Sequence, residues 1–344
     1  MLTTKTLFAM FAMVQLSLVG CSKESSPAGG SGAASTGPSA TGATGTTAES
    51  TPAKAAKNLT FALVSHANAG DKFWDVVKNG EEQAGKDLGV KVTYQGSGDP
   101  QKQAQLIDVA VSQKVDGLIV SMANPEALRP SIQKAVQAGI PVITINSGAE
   151  KSADLGAMTH VGQTEKVAGE AAGSRLAKKG LKHVLCVIHE AGNVGLEERC
   201  AGAKSKLEGG KVVNLQVSVS DLASATSTIA AKLQSDPSID GALTLNNAVA
   251  GAAVNAIAQA NRPTVTLATF DVDATILQNI SAGKIFFAID QQPYLQGYLP
   301  VTFLNLYRTN GTTVGGGQPV LTGPGFIDKA NAELVQKYIQ QGAR

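Results

Sequence analysis

Polar side chains stand at the ends of several apolar runs, and their chemical types suit a ligand rich in hydroxyl groups. Carboxylates accept hydrogen bonds from hydroxyl groups, whereas the amides of Asn and Gln both donate and accept them. Because ligands of open parallel sheets bind beyond the carboxyl ends of the strands, the pattern predicts a cleft for a polyhydroxylated ligand. The polar endings are Ser65-His66-Ala67-Asn68, Asn146-Ser147, His189-Glu190, Asn246-Asn247, Asp271 and Asp290-Gln291.

The same residues also have a local interpretation, because Asn and Asp at strand ends often cap the following helix. Taken singly, Asn247 and Asp273 are better explained as caps. Taken together, the polar endings at these strand tips favour a binding site. Phe73 and Trp74, at the start of the first predicted helix, add a flat apolar face for the C–H side of a sugar ring.

The segment Phe286–Tyr298 indicates which elements position these side chains. It begins as an apolar run typical of a buried parallel strand and continues through Asp290-Gln291-Gln292. It then reaches Pro293, a residue type suited to the first turn of a helix. We therefore expect Gln291 to lie where the chain crosses between two α/β domains, at the mouth of the cleft.

Apolar runs alternate with helical stretches of about 10–15 residues along the chain, which predicts βαβ units and parallel sheets covered by helices on both faces. The plan of the part before Gly162 recurs after it. The predicted fold class is therefore α/β, with two doubly wound parallel-sheet lobes joined by a multi-crossing hinge, the crossings lying near Gly162, Gln291 and Gly323. We assign residues 58–161 and 292–322 to the N-terminal lobe, and residues 162–291 and 323–344 to the C-terminal lobe.

The first 57 residues are not expected to belong to the fold. Residues 1–20 are predicted to be a signal peptide, because Lys5 precedes an apolar stretch shorter than the about 20 residues that span a bilayer. Small residues before Cys21 resemble the lipobox of bacterial lipoproteins, with a plain secretory signal as the alternative. Residues 21–57 are mainly Gly, Ser, Thr, Ala and Pro, which predicts a flexible tether because little apolar surface is available for burial.

The other two cysteines, Cys186 and Cys200, are expected to form a disulfide, since an even number of cysteines in an exported protein suggests pairing. Two buried thiols are the alternative. The four histidines show no ligand spacing with either cysteine, so no metal site is predicted. A net charge of +2, without a basic stripe interleaved with aromatic residues, argues against nucleic acid as a partner.

Sequence signatures of catalysis and of cofactor binding are missing. The chain contains no Gly-x-Ser-x-Gly elbow and no His-Glu-x-x-His zinc helix. Gly315-Gly316-Gly317 does not follow a strand and open a helix, as a dinucleotide site requires. We predict a binding protein with no cofactor rather than an enzyme. A sugar-responsive repressor of the same fold would need a helix-turn-helix where this chain has an export signal and a tether.

Five segments, by their order and spacing, resemble ribose- and galactose-type periplasmic binding proteins, the receptors of ABC sugar importers. The resemblance covers nearly all of residues 58–330 and implies a type I periplasmic-binding-protein fold. It places ligand contacts at Arg199, Asn246, Asp271 and Gln291, with Phe73 or Trp74 as the stacking face. Asn68 and Asn146 are predicted ligand contacts of the first lobe because they follow apolar runs, independently of the resemblance. The segments are Val115–Val120, Ala138–Val142, Ala242–Asn247, Thr269–Asp271 and Ala288–Pro293.

Three departures from the ribose pattern indicate a different ligand. Ribose-type proteins carry an Asp-Arg pair where this chain has Asn146-Ser147, and their second stacking aromatic has no counterpart near Asp221-Leu222. The loop from Ser65 to Phe73 is longer, which changes the register of Asn68. We expect another pentose or hexose, a deoxysugar, a polyol or inositol. By the resemblance, Arg199 binds ring or hydroxyl oxygens through its planar donor fork, the alternative being a solvated helix charge.

The resemblance implies a monomeric extracytoplasmic receptor in the periplasm or at the cell surface. It is expected to be anchored to the membrane only through lipid and to deliver its ligand to an ABC transporter permease. An autoinducer-2-type receptor, a nucleoside-binding lipoprotein and a chemoreceptor accessory protein are alternatives. They share the fold, which therefore does not separate them.

Overall fold

The computed structural model describes residues 59–68 and 70–344, and these fold into two α/β lobes, each built on a six-stranded sheet. The predicted signal peptide, Cys21 and the tether lie outside the described residues. None of the described helices has the length and apolar character needed to cross a membrane.

The first lobe contains five strands from its own part of the chain and one strand from near the C-terminus. The sheet consists of β1 (Thr60–Ser65), β2 (Lys91–Gly96), β3 (Gly117–Ser121), β4 (Val142–Ile145), β5 (Thr159–Gly162) and β11 (Val320–Leu321). Its helices are α1 (Lys72–Leu88), α2 (Pro100–Ser112), α3 (Pro125–Gln137), α4 (Ala149–Ser152) and α10 (Pro293–Asn310). The strand order is β11-β5-β4-β3-β1-β2, with parallel pairing throughout.

The second lobe repeats this plan. Its sheet consists of β6 (His183–Ile188), β7 (Lys211–Gln216), β8 (Gly241–Thr244), β9 (Thr266–Phe270), β10 (Ala288–Asp290) and β12 (Gly325–Ile327). Its helices are α5 (Glu165–Lys178), α6 (Val194–Lys206), α7 (Leu222–Ser235), α8 (Asn247–Gln259), α9 (Ala274–Ser281) and α11 (Ala332–Gln340). The order is β12-β10-β9-β8-β6-β7, and β12 alone among these strands pairs antiparallel.

Each sheet buries an apolar cluster on both of its faces, which explains why the central strands are continuous apolar runs. In the first lobe, Phe61 and Leu63 of β1 face α1 and α10, whereas Ala62 and Val64 face α2 and α3. Successive side chains of a strand point to opposite faces. The central strands must therefore be apolar at every position, and the predicted doubly wound α/β class is confirmed.

The chain passes between the two sheets three times, at residues 163–164, 291–292 and 322–324. After the first passage α5 packs on α6 of the second lobe, and after the second passage α10 returns to pack on α1 of the first. The predicted multi-crossing hinge is therefore confirmed. A further link follows α11: Asn79 of α1 donates to the carbonyl oxygen of Gly342 at 3.2 Å, and Arg344 pairs with Asp290.

A disulfide joins Cys186 of β6 to Cys200 of α6 and closes a loop across 14 positions of the chain. A bridge of this span reduces the conformational entropy of the unfolded chain and stabilises a protein by about 3 kcal/mol in the chain-entropy model. We expect the double substitution Cys186→Ser with Cys200→Ser to lower the free energy of unfolding by roughly 2–3 kcal/mol, as measured by urea denaturation. Dithiothreitol should lower the stability of the wild-type protein by a similar amount and leave that of the variant unchanged.

Candidate functional site

The polar strand ends of the two sheets face each other across a narrow cleft between the lobes. The cleft encloses a cavity of about 30 Å³, room for about one or two water molecules. Small-molecule sites usually measure about 300–1,000 Å³, so a sugar enters only if the lobes separate or side chains move. The wall consists of His66, Asp71, Phe73, Trp74, Asn146, Ser147, His189, Glu190, Asn193, Leu196, Arg199, Leu245, Asn246, Asp271 and Gln291.

The first lobe contributes an aromatic corner to this wall. Phe73 and Trp74, in the first turn of α1, meet edge to face with ring centroids 5.2 Å apart, and His66 contacts the Trp74 ring edge-on at 4.9 Å. Nδ1 of His66 lies 2.7 Å from the hydroxyl oxygen of Ser121, at the end of β3. Burial lowers the pKa of His66, so this histidine is neutral near pH 7. The corner is an apolar surface of fixed geometry.

Asp71 caps α1 and also lines the cavity. Its carboxylate accepts a hydrogen bond from the backbone N–H of Phe73 at 3.0 Å. Burial raises the pKa of Asp71 to about 6, although the hydrogen bond from Phe73 opposes the shift. One carboxylate therefore orients the aromatic corner and offers acceptor positions to the cleft.

The second lobe contributes a guanidinium that is already paired. Nε and Nη2 of Arg199, on α6, donate to the two carboxylate oxygens of Glu165 at 2.5 and 2.9 Å, and Nη1 donates to the carbonyl oxygen of Leu245 at 3.1 Å. Both partners are buried. Part of the donor fork that the sequence led us to expect for a ligand is thus engaged by Glu165, a residue the sequence analysis did not select.

Close packing of α5 against α6 holds this ion pair. A Cβ atom at Gly169 of α5 would lie 2.1 Å from the backbone oxygen of Arg199. Because any side chain there would push the helices apart, glycine permits the approach that lets Glu165 reach Arg199. The ion pair between Glu165 and Arg199 therefore depends on the close packing of α5 against α6.

Asp271 follows β9 directly and is buried at the base of the cleft with a left-handed backbone, φ 65°. Burial raises its pKa to about 7, opposed by the nearby charge of Arg199 and by a hydrogen bond from Gln291. Asn246, which ends the β8 segment, accepts hydrogen bonds from the backbone N–H groups of Ala248 and Val249 and so caps α8. Its side chain combines the capping role with a place in the cavity wall.

Gln291, at the second crossing, links the two lobes. Its Nε2 donates to Asp271 at 2.7 Å, and its Oε1 accepts from Nδ2 of Asn146 at 3.0 Å. Gln296 of α10 donates to Oε1 of Gln291 at 3.2 Å, and Thr322 of the third crossing donates to its backbone oxygen at 2.7 Å. A hydrogen-bonded chain therefore runs from the first lobe through the hinge to the base of the cleft.

The segment 189–195 of the second lobe also contacts the first lobe directly. The backbone N–H of Val194 donates to the carbonyl oxygen of Ala123 at 3.0 Å, and the Ser147 hydroxyl donates to Oδ1 of Asn193 at 3.2 Å. Nε2 of His66 lies 3.8 Å from Oε2 of Glu190. These contacts hold the two lobes together beside the cavity and are consistent with its small volume.

A larger groove, of about 630 Å³, lies on the second lobe near Thr266, where β9 begins, and is bordered by Ile257 and Phe286. It lies at the amino ends of the strands and contains no carboxylate. The small cleft is the candidate ligand site because amides and carboxylates from both lobes converge there. Ligands of parallel sheets also bind at the carboxyl ends of their strands.

Seven of the eight side chains selected from the sequence line the cavity: Phe73, Trp74, Asn146, Arg199, Asn246, Asp271 and Gln291. Asn68 does not. It is exposed at the rim, where its Nδ2 lies 3.5 Å from Oε1 of Glu190. Asp71, which follows in the same loop before α1, lines the cavity. A ligand contact by Asn68 stays a prediction, made from the rim of the cleft.

Several residues of this wall are not among those selected from the sequence. His66, His189, Glu190 and Ser147 were all visible as strand-end residues, and Asp71 and Asn193 each precede a helix that they cap. Strand ends and caps were therefore the signal that would have found them. In the described residues no group of three or more His, Cys, Asp or Glu side chains is arranged to hold a metal ion.

Comparison with known proteins identifies the family. A family model described as a periplasmic binding protein domain matches residues 61–311, well over half of the chain. The chain belongs to this family. The family consists of solute-binding proteins rather than enzymes, so the prediction of a non-enzymatic protein is confirmed.

Curated relatives are binding proteins for sugars. The xylose/arabinose-binding protein XylF of Sulfolobus acidocaldarius is 28% identical over 251 residues, which cover 68% of this chain and 61% of that protein. The ribose import binding protein RbsB of Bacillus subtilis is 26% identical over 256 residues, 72% of this chain and 82% of that protein. The predicted resemblance to sugar-binding periplasmic proteins is thereby confirmed.

Solved structures agree in fold and cover nearly all of the described residues. A carbohydrate transporter from Acidothermus cellulolyticus 11B, in complex with myo-inositol, is 44% identical with a TM-score of 0.81, covering 83% of this chain and 100% of that one. An ABC transporter solute-binding protein from Burkholderia graminis, in complex with D-arabinose, is 25% identical with a TM-score of 0.71 and covers 81% and 98%.

Proposed function

We propose that this protein is an extracytoplasmic receptor that binds a neutral cyclic polyol, with myo-inositol the first candidate, and delivers it to an ABC importer. The observation that carries the proposal is the excess of hydrogen-bond acceptors in the cleft. The carboxylates of Asp71, Glu190 and Asp271 line it together with the amides of Asn146, Asn246 and Gln291. A ring bearing a hydroxyl group on every carbon can donate to these carboxylates and can also accept from the amides and from Arg199.

The apolar parts of the wall also fit a ring. Phe73 and Trp74 offer a flat surface to its C–H face, and Leu196 and Leu245 form the apolar part of the second-lobe wall. No Phe, Tyr or Trp side chain of the second lobe is among these wall residues, which favours a ring with a polar rim over a nucleobase held between two aromatic planes. The bound ligand of the Acidothermus relative supports the same choice.

In the proposed mechanism the lobes open about the three crossings, and the ligand binds both faces of the cleft. It favours the closed state through its higher affinity for that state. The closed receptor then docks on a membrane permease. We propose that it does so as a monomer held at the membrane by lipid on Cys21, in the periplasm or at the cell surface. The proposed site comprises the seven predicted wall residues, and Asn68 acts only at the rim.

The test is a titration of the purified protein with myo-inositol, ribose, xylose, arabinose, galactose and adenosine. Melting temperature and tryptophan fluorescence are followed in parallel. Trp74 is the only tryptophan of the chain, so a fluorescence change reports on the cleft itself. We expect saturable stabilisation by myo-inositol together with a change in Trp74 emission. A response to adenosine alone, or to none of the six compounds, would overturn the proposal, whereas a response to a pentose alone would change the ligand and keep the receptor role.

A further inference from the structure

Glu165 lies behind the cavity wall, in the first turn of α5, directly after the first crossing. Its side chain is fully buried. Besides the two bonds from Arg199, its Oε2 accepts a hydrogen bond from Nε2 of Gln163 at 3.0 Å. Glu165 therefore connects a crossing residue to the one guanidinium that faces the cleft, without lining the cavity itself.

The pairing decides what Arg199 can offer to a ligand. A guanidinium has five N–H donors, of which Glu165 engages two and the Leu245 carbonyl one. Two N–H groups remain for hydroxyl oxygens. The carbon of the guanidinium also lies 4.4 Å from the centre of the Phe270 ring, so the group has little freedom to turn away from Glu165.

Apart from Arg199, the wall residues that carry charge are carboxylic acids, of which Asp271 is only partly ionised at pH 7 because burial raises its pKa to about 7. Burial lowers the pKa of His189 to about 4 and also lowers that of His66, so both histidines are neutral at pH 7. Arg199 is then the one cation among the wall residues, facing the carboxylates of Asp71, Glu190 and Asp271. Its own charge is matched by Glu165 at hydrogen-bond distance.

We propose that Glu165 is a specificity-determining residue that neutralises Arg199 and so makes the cleft select neutral polyols against analogues bearing a carboxylate or phosphate. The inference rests on the proposed function and deepens it. A carboxylate on the ligand would have to compete with Glu165 for the same bidentate face of Arg199. Because Glu165 occupies that face of Arg199, the carboxylate of an acidic ligand finds no unpaired cation in the cleft. It also meets the carboxylates of the wall, and repulsion between like charges disfavours its binding.

The test compares myo-inositol with D-glucuronate, a ring of similar size that carries a carboxylate, by isothermal titration calorimetry at pH 7. The wild-type protein should bind myo-inositol and bind glucuronate at least 100-fold more weakly. Glu165→Gln keeps the shape of the side chain and removes its charge. We expect this variant to improve the glucuronate-to-inositol affinity ratio at least tenfold, and the improvement should shrink as salt is raised.

Glu198→Gln is the matched control, because Glu198 precedes Arg199 on α6 but is only half-buried and does not line the cavity. It should leave the ratio unchanged. An unchanged ratio in Glu165→Gln, or an equal gain in the control, would overturn the proposal. So would wild-type protein that binds glucuronate as well as myo-inositol.

Removing one charge of a buried pair is destabilising, so a second variant covers the case in which Glu165→Gln does not fold. Glu165→Asp keeps the charge but draws it away from Arg199. The glucuronate-to-inositol affinity ratio should then rise about threefold. An unchanged ratio would contradict the proposal. Wild-type protein that binds none of the neutral polyols would overturn the proposed function itself. Binding of myo-inositol without any gain of glucuronate in the variants would overturn only the role of Glu165.

Discussion

Replacement of Asp271 by alanine is expected to reduce the affinity for the polyol at least 100-fold while the fold stays intact. Asp271 lies at the base of the cleft, and Gln291 occupies only part of its acceptor capacity, with one hydrogen bond at 2.7 Å. A carboxylate has about four lone-pair positions, and each hydrogen bond to a charged group contributes roughly 1.5–3 kcal/mol. Losing two ligand hydroxyl contacts therefore accounts for a factor of 100 or more.

The melting temperature of Asp271→Ala should stay within about 3 °C of the wild-type value, since a change of roughly 1 kcal/mol moves it by that much in a chain of this size. Burial raises the pKa of Asp271 to about 7, so the native state gains little from its charge near neutral pH. Calorimetric titration with myo-inositol measures the affinity, and thermal denaturation measures the fold.

Asp273→Ala is the matched control for this loop. Asp273 lies two residues further on, caps α9 by accepting a hydrogen bond from the backbone N–H of Ile276 at 2.8 Å, and does not line the cavity. Its loss should cost about 1 kcal/mol of stability and leave the affinity unchanged. Equal affinity losses in the two variants, or full binding by Asp271→Ala, would contradict the assigned site.

Replacement of Glu81 by glutamine is expected to remove a large pH dependence of stability. Glu81 is buried on α1 against α10, and neither carboxylate oxygen has a hydrogen-bond partner among the described residues. The helices are close enough that a Cβ at Gly297 would lie 1.9 Å from the backbone oxygen of Val77. Burial raises the pKa of Glu81 to about 8 from an ordinary value of 4.5.

The direction of the effect follows from the proton that the folded state retains. Between pH 4.5 and 8 the folded protein keeps Glu81 protonated whereas the unfolded chain releases the proton. The contribution of the protonated Glu81 to the free energy of unfolding is therefore fully present below pH 4.5, and it is lost as the pH rises to 8. From pH 5 to pH 8 the wild-type protein should lose about 3 kcal/mol relative to Glu81→Gln.

Urea denaturation at pH 5 and pH 8, followed by Trp74 fluorescence, measures this difference. Comparison of the two proteins is needed because Asp71 and Asp271, whose pKa values are also raised, add a slope of the same sign to both. Glu82→Gln is the control, since its side chain is 45% exposed and pairs with Lys78 at the surface. Parallel pH profiles for wild type and Glu81→Gln would show that Glu81 ionises normally in the folded protein.

Local patterns in the sequence were sufficient to predict the alternation of strands and helices, although the short strands β11 and β12 were not predicted. The run of β3, buried at all five positions, is typical of a strand covered on both faces. Helices begin at Pro100 and Pro125, each directly after a capping residue. The polar residues at the strand ends could be predicted as well, because they directly follow the apolar runs. Asn146, Asn246, Asp271 and Gln291 therefore lie in the cleft, because the carboxyl ends of parallel strands share one edge of a sheet. Phe73, Trp74 and Arg199 reach the cavity wall from the helices α1 and α6.

Only the tertiary structure decided which side chains hold one another. The Glu165–Arg199 pair joins residues 34 positions apart, and the chain from Asn146 through Gln291 to Asp271 joins two lobes. No spacing along the sequence encodes such distances, because they depend on how closely α5 and α6 pack and on where the crossings return the chain. The tertiary structure also decided that the cavity wall contains Asp71 and not Asn68. Loop length and helix capping, rather than residue type, determine which polar group turns toward the cleft.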